Sequence, residues 1–175
     1  TSIYSSIAGD LEGIKDIDQF GNPYKFYRDL MMYLGSEKAV RVEKLDHTSD
    51  VDNFLSMAGS STSDPDVVII TLSDFGGSEL AHPEDIKTIK PVVMFNGHKY
   101  KLDSAICRDI SKNHFCCAIT CNNKPMLFDG SAFSRLVSRN WKNWINKDYE
   151  WSTGDTNLQW NFKRGYSMLF YYRST

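Results

Sequence analysis

The stretch HFCCAITCNNKPMLFD, running from His114 to Asp129, decides how this chain is read. His114–Thr120 and Lys124–Phe128 carry the β-branched, aromatic and small apolar side chains of strands, and Cys121-Asn122-Asn123 between them makes a tight turn. Folded as an antiparallel hairpin, the stretch begins one strand at His114 and ends the other at Asp129. Both side chains then reach the same end of the sheet. An imidazole oriented by a carboxylate is what a cysteine or serine protease needs. The acid fixes the tautomer and ring direction, and the ring deprotonates the nucleophile. The expected contact is between His114 Nδ1 and Asp129. A surface histidine near a turn is the plainer reading, and spacing alone does not separate the two.

Working outward, Val67–Leu72 is an unbroken β-branched run bounded by Pro65 and Gly76-Gly77, as in a strand buried on both faces. Val92–Phe95 ends in Asn96-Gly97, a hairpin signal leading into a strand over Lys99–Cys107. Leu158–Phe162 and Tyr166–Tyr172 read as two closing strands around Lys163-Arg164-Gly165, and Ala39–Leu45 as a short one. Helical spacing is seen in Tyr24–Leu34, stopped by Gly35, and in Asp50–Met57, capped by Ser49 or Asp50. Phe133, Leu136, Val137, Trp141, Trp144 and Ile145 keep a spacing of three and four, which predicts a later helix capped by Ser131. Residues 1–23 read as a loosely ordered arm. Residues 24–175 read as one domain, with a helical part at 24–58, a polar loop over Gly59–Pro65 and a β-rich part at 65–173. The expected class is α+β, an antiparallel sheet with N-terminal helices and one later helix.

A length of 175 residues suits a single domain with a sizeable core, and 41% hydrophobic with 24% charged residues is ordinary for a globular protein. A net charge of −2 supplies no field that would attract nucleic acid. No run approaches the length of a membrane span, and the start at Thr1 carries no signal-peptide pattern, so an intracellular, cytoplasmic location is expected. The absence of an initiator Met suggests an excised or processed fragment.

All four cysteines, Cys107, Cys116, Cys117 and Cys121, fall close together, where a disulfide would staple nothing. They read as reduced, buried structural thiols, with redox sensing by Cys121 as the alternative. As a zinc site His114, Cys116, Cys117 and Cys121 are the weaker reading, because alternation along one strand sends Cys117 and Cys121 to the face opposite His114 and Cys116. No metal or cofactor is expected. Trp141, Trp144, Tyr149, Trp151, Trp160 and Phe162, interleaved with Arg139, Lys142, Lys147, Lys163 and Arg164, offer a nucleic-acid platform on paper. Their spacing fits core packing better.

A set of motifs in order resembles the C-terminal half of a ubiquitin-specific protease domain. The chain has Pro65-Asp66-Val67-Val68-Ile69-Ile70-Thr71-Leu72, then Tyr100-Lys101-Leu102-Asp103-Ser104-Ala105-Ile106, then Asn113-His114-Phe115. Leu127-Phe128-Asp129-Gly130 and Gly165-Tyr166-Ser167-Met168-Leu169-Phe170-Tyr171-Tyr172-Arg173 follow. The resemblance implies a papain-like fold, with His114 matching the catalytic histidine and Asp129 the orienting acid. Asn96–Ala105 also looks like degenerate domains of this kind in core and processing proteins of large DNA viruses.

The departures count as much. The family's nucleophile sits in an N-terminal box at a helix start, whereas no residue before Cys107 is a cysteine. Asn113 stands for the family's Gly before the histidine, Phe115 for the Tyr after it, and Ser73-Asp74 for its basic pair. The family's zinc-finger Cys-x-x-Cys pairs are missing. The expectation is a non-catalytic, pseudoenzyme-like interaction or scaffold domain, with ubiquitin or another protein as partner and neither nucleic acid nor membrane. One alternative is a deubiquitinase or processing cysteine protease whose nucleophile lies upstream of Thr1, with His114 as base and Asp129 as its orienter. The other is a viral structural (core) protein located in the virion.

Overall fold

A computed structural model describes residues 30–32, 34–35, 40–45, 64–72, 89–110, 114–130, 136–154, 157–163 and 167–174. Their main element is one sheet built from β1 (Val40–Leu45), β2 (Val67–Leu72), β3 (Val92–Phe95), β4 (His98–Arg108), β5 (Phe115–Cys121), β6 (Lys124–Phe128), β7 (Val137–Ser138) and β8 (Ser167–Arg173). The strand order is β1-β2-β8-β4-β5-β6-β7, with β3 also on β4. β1 and β2 pair in parallel, and every other neighbouring pair is antiparallel.

Local chemistry accounts for the hairpins. Asn96 and Gly97 (φ 48° and 77°) make the two-residue turn between β3 and β4, and Asn122 and Asn123 (φ 49° and 62°) the one between β5 and β6. Two residues at positive φ match the twist of the flanking strands, and Gly and Asn bear that conformation at least cost. β2 lies between β1 and β8, and its Val68, Ile69, Ile70 and Thr71 are all buried, so the β-branched run is covered on both faces.

β4 serves two neighbours on one side. Its first half, His98–Lys101, pairs with β3, and its second half, Ala105–Arg108, pairs with β5. Between the halves the register with β8 slips by one residue at Asp103, from Leu102↔Tyr171 to Ser104↔Phe170. The extra residue shifts the alternation, so that Tyr100 and Leu102 before it and Ala105 and Cys107 after it all face the core. Thr120 Oγ1 donates to Asp103 O at 2.7 Å and Lys142 Nζ to Leu102 O at 3.4 Å, so carbonyls at the slip are satisfied. The core on this face is aromatic: Trp141, Trp160, Tyr100, Tyr171, Phe95 and Phe162 are its largest fully buried side chains.

The expected α+β class, with N-terminal helices and one later helix, is overturned: strand makes up 52% and helix 7% of the described residues. Residues 30–32 form a helical turn, with Leu34 N donating to Leu30 O and Gly35 at φ 61° after it. The expected helix over 50–57, the arm at 1–23 and most of the helix over 24–34 lie outside the described residues. Where the later helix was expected, residues 131–135 are also outside. Val137–Ser138 instead extends the sheet, pairing with Leu127 and Met126, and Trp141–Asn143 forms one 3-10 turn. The spacing of three and four was real but misread. Ser138, Asn140 and Asn143 favour local non-helical bonding. The segment also has a sheet edge to pair with, and Trp141 Nε1 donates to Ile119 O at 3.0 Å. Leu158–Phe162 is likewise no strand; Trp160 makes isolated bridges to Asp109 and Trp151.

Candidate functional site

Register places the pair. Cys117 lies opposite Phe128, so Cys116 lies opposite Asp129, and His114, two residues before Cys116, shares its face. Burial alternates accordingly: Leu127 and Asp129 point into the core and Phe128 points out. His114 Nε2 and Asp129 Oδ1 are 2.7 Å apart. The acid was expected at Nδ1 and is found at Nε2. A carboxylate only accepts, so the ring is held with its proton on Nε2, and Nδ1 becomes the basic nitrogen.

Asp129 is fully buried while the His114 side chain keeps 31% of its surface. A buried carboxylate is costly unless both oxygens are engaged. The second oxygen accepts from Thr153 Oγ1 at 2.6 Å. Thr153 carried no signal in the sequence, since it lies 24 residues from Asp129 in an irregular segment. Its hydroxyl donates to the acid, so it positions Asp129.

The histidine backbone is fixed as firmly. His114 O accepts from Asp109 N at 2.7 Å and from Trp160 Nε1 at 3.4 Å, and the Trp160 ring lies 6.0 Å from the imidazole. Trp160 exchanges two 3.0 Å main-chain bonds with Trp151 and stacks on its ring at 5.0 Å. Asp109, also fully buried, accepts from Gln159 N, and Ile110 N donates to Gln159 O at 2.8 Å. The ends of β4, β5 and β6 and residues 151–154 and 157–161 thus meet around one histidine.

The thiols are differently placed. Cys107 and Cys116 face each other across β4 and β5 inside the core, Cys117 is half-buried, and Cys121 is exposed at the far end of β5. Cys116 does share the His114 face. Burial pushes the Cys107 thiol up to about 12, and it pushes the Cys116 and Cys117 thiols up as well, with Asp129 adding to both. These are protonated sulfurs with poor nucleophilicity. Among the described residues no cluster of three His, Cys, Asp or Glu side chains is arranged to hold a metal ion. Trp141, Trp151, Trp160 and Phe162 are core residues, as expected, whereas Tyr149 is exposed.

Beside the middle of β4, a groove of about 810 Å³ runs between the start of β3 and the turn after β5. Its lining includes Pro91, Val92, Lys101, Asn122, Asn123 and Lys142. It is remote from His114 and Asp129, which are absent from its walls.

No protein-family model matches the sequence, and no curated protein matches it. Among the described residues no helix is long and apolar enough to cross a membrane.

Proposed function

We propose that this chain is a non-catalytic protein-interaction domain, in which His114, Asp129 and Thr153 tie the end of the sheet together beneath a partly exposed imidazole. The observation that carries the reading is the contrast between base and nucleophile. The base is assembled and oriented, while all four cysteines lie within β4 or β5, and three of those thiols are held protonated. Thr153 spends its hydroxyl proton on the acid. A fully buried carboxylate with a donor on each oxygen also does structural work that needs no reaction.

Ubiquitin is the partner that the ordered motifs suggest, and it is the first ligand to test. Titrating ubiquitin into the isotopically labelled chain should shift resonances near His114 and Phe128, the latter being 40% exposed beside Asp129. Flat spectra at high concentration remove ubiquitin as partner. A ubiquitin probe with a C-terminal electrophile should leave all four cysteines unlabelled. Covalent capture at any of them overturns the non-catalytic reading in favour of a deubiquitinase.

A further inference from the structure

β3 is a side strand: among the described residues it pairs with β4 alone. The two-residue turn at Asn96-Gly97 sets the phase of its backbone. Phe95 opposite His98 and Val93 opposite Tyr100 turn their N–H and C=O groups toward β4, and Leu102 N to Pro91 O at 2.9 Å continues the series. Val92 and Met94 therefore turn theirs outward. Their side chains are also exposed, at 38% and 53%. Natural edge strands are usually blunted by a Pro, a bulge, an edge Lys or extreme shortness. β7 is blunted, being two residues long. β3 carries none of these within its four residues.

The side chains of β4 that lie directly across from Val92 and Met94 are basic. Lys101 lies directly opposite Val92 and Lys99 opposite Met94, so both ammonium groups share the face of those apolar side chains. Among the described acids nearby, Asp64 is engaged with His98 at 3.1 Å and Asp66 with Arg173 at 2.7 Å, while Asp103 lies beside Lys101 in the groove wall. Lys101 and Lys142 also line the groove that opens at the start of β3. A second copy of this chain pairing edge to edge would add two more lysines to that face and no acid to answer them, so an acidic strand complements the face better.

We infer that β3 receives an extended, acidic segment of a partner protein as an added strand. Val92 and Met94 supply the main-chain bonds, and Lys99 and Lys101 select for alternating acidic side chains. The inference shares with the proposed function only the premise that the chain binds protein, and it uses different residues.

The test is fluorescence anisotropy on the full chain with the labelled hexapeptide Glu-Thr-Glu-Val-Glu-Thr, beside its counterpart carrying Lys for Glu. The acidic peptide should bind saturably, weaken as salt is raised and outcompete the basic one at least tenfold. Met94→Pro deletes an outward N–H without touching the ladder to β4, and should weaken binding at least tenfold. N-methylating alternate amides of the peptide should do the same with the chain unaltered. Lys99→Glu with Lys101→Glu should reverse the preference. Absence of binding, equal binding of both peptides, or binding indifferent to both Met94→Pro and N-methylation overturns the inference. So does a dimer that Met94→Pro converts to monomer, which would assign the edge to a second copy. Peptide binding kept in His114→Ala with ubiquitin spectra flat sinks the ubiquitin reading alone, and the reverse pattern sinks the edge alone.

Discussion

The two ends of β4 are held in opposite ways. At its C-terminal end, Arg108 and Asp109 run into a knot of buried polar groups, where Asp109, Asp129 and Asn161 are each fully enclosed and hydrogen-bonded. At its N-terminal end, His98, Lys99 and Lys101 stand in solvent beside a strand with an open edge. The same strand is locked at one end and available at the other. Polar groups in the enclosed end have no water to fall back on, so each bond there matters by its desolvation penalty. Exposed ion pairs such as Asp66–Arg173 exchange readily with water and contribute little.

That contrast can be broken by substitution, and the effects should scale with enclosure. Trp160→Ala strips a fully buried ring from beneath His114 and should cost about 3–5 kcal/mol in urea unfolding. A loss below about 1 kcal/mol would mean the enclosed end is not packed as described. Asp129→Ala leaves the His114 and Thr153 donors unanswered and should cost about 2–3 kcal/mol, with Asp129→Asn milder. Alkaline titration reads the same end. Cys107 keeps its proton when folded up to about 12, against about 9 for an ordinary thiol. The folded state then binds more protons than the unfolded one, so stability is complete below pH 9 and falls as pH climbs from 9 to 12. The slope should be about 1.4 kcal/mol per pH unit for that thiol, and Cys107→Ala should flatten it. Thr153→Val removes one donor at constant shape and should cost about 1 kcal/mol. At the open end, Lys99→Ala should change stability by less than about 0.5 kcal/mol. A larger effect there would erase the distinction between the two ends.

What was legible in the sequence was what short range decides. Asn96-Gly97 and Asn122-Asn123 announce their turns because few residues accept positive φ, and the hairpins then fix β3 against β4 and β5 against β6 in register. The His114–Asp129 pair followed from the second of those turns. What was not legible depended on partners distant in the chain. Trp141 and Trp144 look helical by spacing, but a strand edge and the Ile119 carbonyl were there to claim that segment first. Thr153 and Trp160 reach the histidine from an irregular segment with no period to read. The nitrogen chosen by Asp129, Nε2 and not Nδ1, follows from ring orientation inside a packed pocket. Nothing in the order of residues expresses that.

The slip at Asp103 means that β4 changes step halfway along. Removing that one residue would throw either Tyr100 and Leu102 or Ala105 and Cys107 onto the wrong side of the fabric, since only the spare position keeps both pairs inward. A length change of one residue at this place should be tolerated far less well than a change in the identity of Asp103 itself, because what the position contributes is its count.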